Sequence, residues 1–245
     1  MPIISVWKRI GETPLQAMDR ARKEYGITDE PASFTGRLDP MAQGIQISLF
    51  GKDVNLRDQY NSCRKTYRFT AILGIGTTSY DPLGDITDMV EITHDQALRF
   101  HRGMLAIHGK IMQAFPACSA FRYKGRPLWW HALHGSLPKP MPIKEREVFS
   151  VKELSTPINL PISTYRRTAI DDIKEVHQCN EGKFNCLPVI SMWRSLKKDT
   201  TIWRAQYEVT VSSGTYVRSL VHNLGVELGV PAHAMRITRL KVGSP

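Results

Sequence analysis

The chain has 245 residues, a mass of 27.8 kDa, and 33 basic against 23 acidic side chains, for a net charge of +10. A hydrophobic content of 42% belongs to a globular protein rather than a disordered one, and no apolar run approaches the ~18 residues a membrane helix needs. Four cysteines are too few for a disulfide scaffold and fit a reducing compartment, and Met1 to Gly11 shows no leader signature, so the expected location is the cytoplasm.

Residues 3–6 read as a short strand. Thr13 then caps a helix that Pro14 opens and Gly26 closes. Residues 33–44 are rich in turn formers and predict a loop. β-branched alternation over 45–50 predicts a strand, and 65–73 a second, stopped by Gly74 and Gly76. Residues 80–85 form a turn, and a helix follows over 95–104. Prolines punctuate the next stretch, so it reads as loops and short elements before a strand over 148–154. Residues 155–201 show no long period and read as an insertion with one helix near 170–177. Residues 202–211 alternate as a strand. The helix over 215–228 carries the apolar stripe Val217, Leu220, Val221, Leu224 and Leu228. A final strand runs over 235–242. Strands and helices mix without a βαβ rhythm, which predicts an α+β fold with a mixed, mainly antiparallel central sheet flanked by helices.

The charge is not evenly spread. Ten basic and three acidic residues fall within 99–154, and no Asp or Glu occurs from Gln96 to Lys144. That window also carries Phe115, Phe121, Tyr123, Trp129 and Trp130. A cationic surface with interleaved aromatics suits a polyanion whose bases can stack; a solvated basic face over an ordinary aromatic core is the plainer alternative.

Three residues stand out for chemistry. Asp39 lies in a turn-rich loop among Leu38, Pro40, Met41 and Ala42, although Asp-Pro is also a common way to begin a turn. Arg218 sits in the first turn of the clearest helix, where a cation opposes the helix dipole, so a compensating carboxylate or phosphate is expected. Tyr67 lies on a strand between cations and could stack on a base or simply fill the core. His177, Cys179 and Cys186 do not have a zinc spacing. No Walker loop, hydrolase triad or H-E-x-x-H motif is present.

Together these residues resemble a known family. Gly36-Arg37-Leu38-Asp39-Pro40-Met41-Ala42-Gln43-Gly44 is similar to the G-x-L-D-P-x-A-x-G motif of TruB-type pseudouridine synthases. Lys65-Thr66-Tyr67, the turn from Leu73-Gly74 to Asp81-x-x-Gly84, the segment from Gln113 to Gly125, Ser213-Gly214-Thr215-Tyr216-Val217-Arg218 and Arg236-Ile237-Thr238-Arg239-Leu240 follow in the family's order. The resemblance implies a single catalytic domain over 1–245 that isomerises a uridine in RNA, with the T-stem-loop of tRNA as the expected partner. It implies Asp39 as the catalytic aspartate, Arg218 as its partner, and Tyr67 as the residue stacked on the flipped uracil. Tyr216 and Ile237 would line the uracil pocket, and Phe34, Arg122 and Lys124 would contact substrate. No metal or other cofactor is required, and a monomer is expected. Phe34 replaces the histidine usual before the Thr-Gly pair. The C-terminal RNA-binding domain common in bacterial relatives is not expected here. An RNA-binding or RNA-chaperone protein that keeps the fold without the chemistry is the alternative.

Overall fold

The computed structural model describes residues 3–182, 184–197 and 200–243. The chain runs β1 (Ile3–Lys8), α1 (Pro14–Glu24), β2 (Ala32–Phe34), β3 (Gln43–Phe50), a 3-10 segment (Gly51–Leu56), α2 (Arg57–Ser62), β4 (Lys65–Leu73), β5 (Ile75–Thr77), β6 (Ile86–Met89) and α3 (His94–Ala106). It continues with β7 (Gly109–Ala114), β8 (Arg122–Tyr123), β9 (Arg126–Pro127), α4 (Leu128–Leu133), β10 (Ile143–Pro161), α5 (Ile162–Cys179), α6 (Cys186–Ser195), β11 (Thr201–Val211), α7 (Val217–Leu228) and β12 (Ala232–Val242). The central sheet has eight strands in the order β1-β3-β12-β4-β11-β10-β7, with β2 added beside β3. Every pairing in it is antiparallel except β3 with β12. The expected α+β architecture is therefore present.

Strand alternation divides the hydrophobic residues between the two faces. Phe69, Ala71 and Leu73 of β4 and Ala205, Tyr207 and Val209 of β11 face α3 and α7, where they meet Phe100, Met104, Leu220, Val221 and Leu224. Ile72, Ile202 and Met235 face the other way and meet Tyr165, Ile173, Val189 and Trp193 of α5 and α6. A third, smaller cluster joins α1 to β1 through Ile4, Val6, Ala17, Met18 and Phe50. Helix α1 begins with Thr13 and Gln16 in a reciprocal capping box and Pro14 in the first turn.

Residues 155–201 are more ordered than their sequence suggests. Their first part completes the 19-residue strand β10, and residues 162–179 and 186–195 form two helices in place of the single one expected. Ile162, Tyr165, Ala169, Ile173 and Val176 make a helical stripe that intervening arginines and threonines dilute. Trp193 is wholly buried and donates its indole N–H to the Pro82 carbonyl at 3.0 Å. This pair of helices is thus the cover of one sheet face, not a surface loop.

The loop that carries Asp39 is held from below by buried cations. Lys8 falls at the buried parity of β1, with Ile4 and Val6, and donates Nζ to Ala42 O at 2.6 Å and Arg9 O at 3.0 Å. Arg239 is fully buried and donates to Gly36 O at 2.7 Å and Ile45 O at 2.6 Å, thereby tying both ends of the loop. Lys65 donates to Asn61 O at 2.6 Å near the end of α2, while Asn61 Oδ1 accepts the Gly36 N–H at 2.8 Å. Gly44 makes the crossing of β3 and β12 possible. Its φ is +116°, and a Cβ there would sit 2.3 Å from Arg239 O.

Two predictions follow from this packing. Trp193→Ala should destabilise the fold by about 3–5 kcal/mol, read by urea unfolding, because it empties the centre of the second core; a change under about 1 kcal/mol would mean that α5 and α6 do not fold with the sheet. Burial lowers the Lys8 ammonium from 10.5 to about 8, with Asp39 opposing the shift. Between those values the unfolded chain binds the extra proton, so the lysine's burial cost is relieved as pH rises. The stability of the native protein relative to Lys8→Met should therefore rise between pH 8 and 10.5, by up to about 3 kcal/mol.

Candidate active site

Asp39 follows the buried Leu38 and opens a tight turn in which its carbonyl accepts the Ala42 N–H at 3.0 Å. Its side chain is 31% exposed. Arg218, the second residue of α7, is 2% exposed. Its Nε donates to Asp39 Oδ2 at 2.8 Å and lies 3.6 Å from Asp81 Oδ2. Nη1 donates to the Ser79 carbonyl, and Nη2 donates to the Cys118 carbonyl at 3.3 Å. The anion expected near this helix start is thus a pair of carboxylates. Burial acts against the Arg218 charge, but Asp39 and Asp81 outweigh it and hold the guanidinium above the usual arginine range.

Asp81, a turn residue in the sequence, completes the ion cluster. It is buried, and burial raises its carboxyl above the usual range despite Arg218 beside it. Ser79 Oγ at 2.5 Å and the Leu83 N–H at 3.0 Å donate to its Oδ1. Between Ser79 and Asp81, Tyr80 adopts a left-handed φ of 63° and stacks on His222 of α7 at 3.6 Å. This turn brings the Ser79 carbonyl and the Asp81 carboxylate onto one guanidinium. Gly84 closes it, where a Cβ would lie 2.4 Å from Ser79 N. Sequence could show the turn formers but not that the acid was buried.

The other expected residues divide into two groups. Tyr67 is half-buried against the first core, which contains Leu38, Val217 and Ile237. It therefore lies on the α7 face of the sheet, the face that bears Arg218. Tyr216 precedes α7, and Gln113 clasps its backbone: Oε1 accepts its N–H at 2.8 Å and Nε2 donates to its carbonyl at 3.1 Å. Its ring meets Phe115 edge-on at 6.0 Å, and Phe115 stacks on Phe121 at 4.0 Å. The acid-free window thus contributes an aromatic wall and the Cys118 carbonyl at the site itself.

Phe34, Arg122 and Lys124 are not part of this cluster. Phe34 lies on β2 and packs against the third core, with Ala32 and Ile27. Arg122 and Lys124 are exposed around the β8–β9 hairpin, where Arg122 donates to Gly125 O at 2.8 Å and Lys124 lies over the Tyr123 ring at 5.5 Å. Arg126 approaches Trp130 in the same way, and Trp129 is exposed beside it. Among the described residues, no three His, Cys, Asp or Glu side chains converge as a metal site.

The arrangement gives a partly exposed carboxylate a fixed ion-pair partner in a water-poor setting. Only Asp39 Oδ2 accepts from Arg218 Nε, which leaves Oδ1 outside that bond. A carboxylate so held can approach an electrophilic carbon, and the charged guanidinium keeps it oriented.

Comparisons with known proteins place the chain in a family. The chain is 29% identical over 279 residues to "tRNA pseudouridine synthase 4" of Schizosaccharomyces pombe, with 92% of this chain and 68% of that protein covered. It is 27% identical over 236 residues to "tRNA pseudouridine synthase B" of Burkholderia pseudomallei, covering 96% of this chain and 62% of the relative. The protein of the same name from Thermobifida fusca is 29% identical, with 98% and 69% covered. The fold is shared with a chain in the crystal structure of a Cbf5-Nop10-Gar1 complex, at a TM-score of 0.57 and 18% identity; 98% of this chain overlays 48% of that one. Residues 22–168, more than half of the sequence, match the TruB family pseudouridylate synthase (N terminal domain), and the chain belongs to that family.

Proposed function

We propose that the chain isomerises a uridine of tRNA to pseudouridine, at the T-loop, with Asp39 acting at C1′ of the flipped nucleotide. The observation that carries this reading is the pairing of a partly exposed Asp39 with a buried Arg218 across 179 residues of sequence. Binding RNA needs no such pair, because phosphates call for exposed cations. The named relatives supply the reaction class, and the basic, aromatic β8–β9 region supplies a surface suited to the RNA.

In this reaction the bond from C1′ to N1 breaks, the uracil turns, and a bond from C1′ to C5 forms. The proton on C5 leaves and N1 gains one, so atoms balance without an external reductant or oxidant. Asp39 attacks or stabilises C1′ as the base departs. Arg218 holds it in position. Tyr67 stacks on the base and takes part in the proton transfer, while Tyr216 and Ile237 shape an apolar pocket that limits water. The target must leave its stack to enter.

Asp39→Asn should abolish pseudouridine formation in a tRNA transcript, mapped by carbodiimide primer extension, while RNA affinity stays within about twofold. An active variant would remove Asp39 from its role, and a native protein that modifies no RNA would sink the enzyme reading. Arg218→Met should lose activity and also destabilise the fold by about 3–5 kcal/mol in urea unfolding, because Asp81 would be left buried without its cation. Asp39→Asn should cost far less stability, since Asp39 reaches solvent.

A further inference from the structure

The face of the sheet away from Arg218 carries a second cationic site. Residues 70 and 72 of β4 and 202, 204 and 206 of β11 share that face, and α5 and α6 cover its apolar end at Ile72 and Ile202. They leave the other end open. A cleft of about 410 Å³ remains there, lined by Arg68, Arg204, Arg236 and the hydroxyls of Thr164 and Thr168 on α5. Arginines on a sheet face that a helix half covers serve no packing need that an apolar residue would not serve better.

The cations of the cleft differ in how they are held. Arg236 sits where the β12–β4 register slips, has a φ of 52°, and reaches Asp172 through two bonds of 2.9 and 3.0 Å. The bulge aims it into the cleft, and Asp172 occupies it. Arg204 Nε, by contrast, is buried without a hydrogen-bond partner among the described residues. Helix α5 also borders a second groove, with Arg166, Arg167, Lys174 and Arg194. Lys174 pairs with Asp171 there, and Arg166 donates to the Leu196 carbonyl at 2.8 Å. No carboxylate lies within 4 Å of Arg68, Arg167, Arg194 or Arg204 among the described residues.

We infer that this arginine face, centred on α5, binds the sugar-phosphate backbone of the RNA substrate at a point remote from the target base. The inference rests on the RNA reading given above. Its location suits a large substrate: Gln43, four residues after Asp39, donates to Thr238 at 3.2 Å on the rim of the cleft. Adjacent residues Tyr67 and Arg68 of one strand point to opposite faces, one against the first core and one to the cleft. An RNA passing the strand ends meets both.

The test uses the whole chain with glutamine at positions 68, 167, 194 and 204 (R68Q/R167Q/R194Q/R204Q). Binding to a full tRNA transcript should weaken at least about tenfold, and the slope of log K against log salt should fall by about 3, from four lost phosphate contacts. Isomerisation of an isolated T-stem-loop should be unchanged. The matching four-lysine variant keeps the charge and should restore the salt slope, which separates binding from misfolding. Unchanged tRNA affinity and slope in a folded glutamine variant would overturn the inference. If the native protein modifies neither RNA, yet tRNA binding still falls in the glutamine variant, the enzyme reading fails and this surface stands.

Discussion

Everything at the site depends on one buried guanidinium. Arg218 lies at the wrong end of a helix for a cation and out of reach of water, two costs that nothing local offsets. Its compensation comes from three separate segments: Asp39 from the loop before β3, Asp81 and Ser79 from the turn after β5, and the Cys118 carbonyl from the acid-free window. A side chain bound on so many sides cannot be reoriented without breaking several bonds at once. It fixes Asp39 more firmly than the loop's own backbone could.

Beneath that loop the same logic recurs with carbonyls in place of carboxylates. Lys8, Lys65 and Arg239 are buried and donate mainly to backbone oxygens: Lys8 to Ala42 and Arg9, Lys65 to Asn61 of α2, and Arg239 to Gly36 and Ile45. Backbone carbonyls carry partial charge, so they orient a cation without neutralising it, and burial lowers the pKa of both lysines. The net positive charge of the sequence is therefore of two kinds. Some of it braces the loop from inside, and some of it lies on the surface.

The sequence made the strands with clear alternation legible, and with them the α+β class, because period-2 burial is a local property. It also exposed Asp39, Tyr67 and Arg218 through ordered motifs. Helix α5 is hidden because polar and cationic residues dilute its stripe, and α6 because Pro188 in its first turn reads as a breaker. Asp81 was overlooked for a different reason: burial of an acid is decided by segments far away in the chain. Lys8 and Arg239 could have been found, since each shares strand parity with core residues, Val6 and Ile237. Phe34, a near neighbour of Asp39 in sequence, packs against the third core instead of the ion cluster.

The single parallel pairing, Gln43 and Gly44 of β3 against Thr238 and Arg239 of β12, also orders events in time. As the chain is synthesised, the loop with Asp39 emerges long before the strand that clamps it. Until β12 docks between β3 and β4, that loop lacks the Arg239 bonds at both of its ends, and closing so long a stretch of chain is entropically demanding. Partly made chains would therefore carry the Asp39 loop without its Arg239 clamp. A competent site would arise only when the first and last parts of the fold meet.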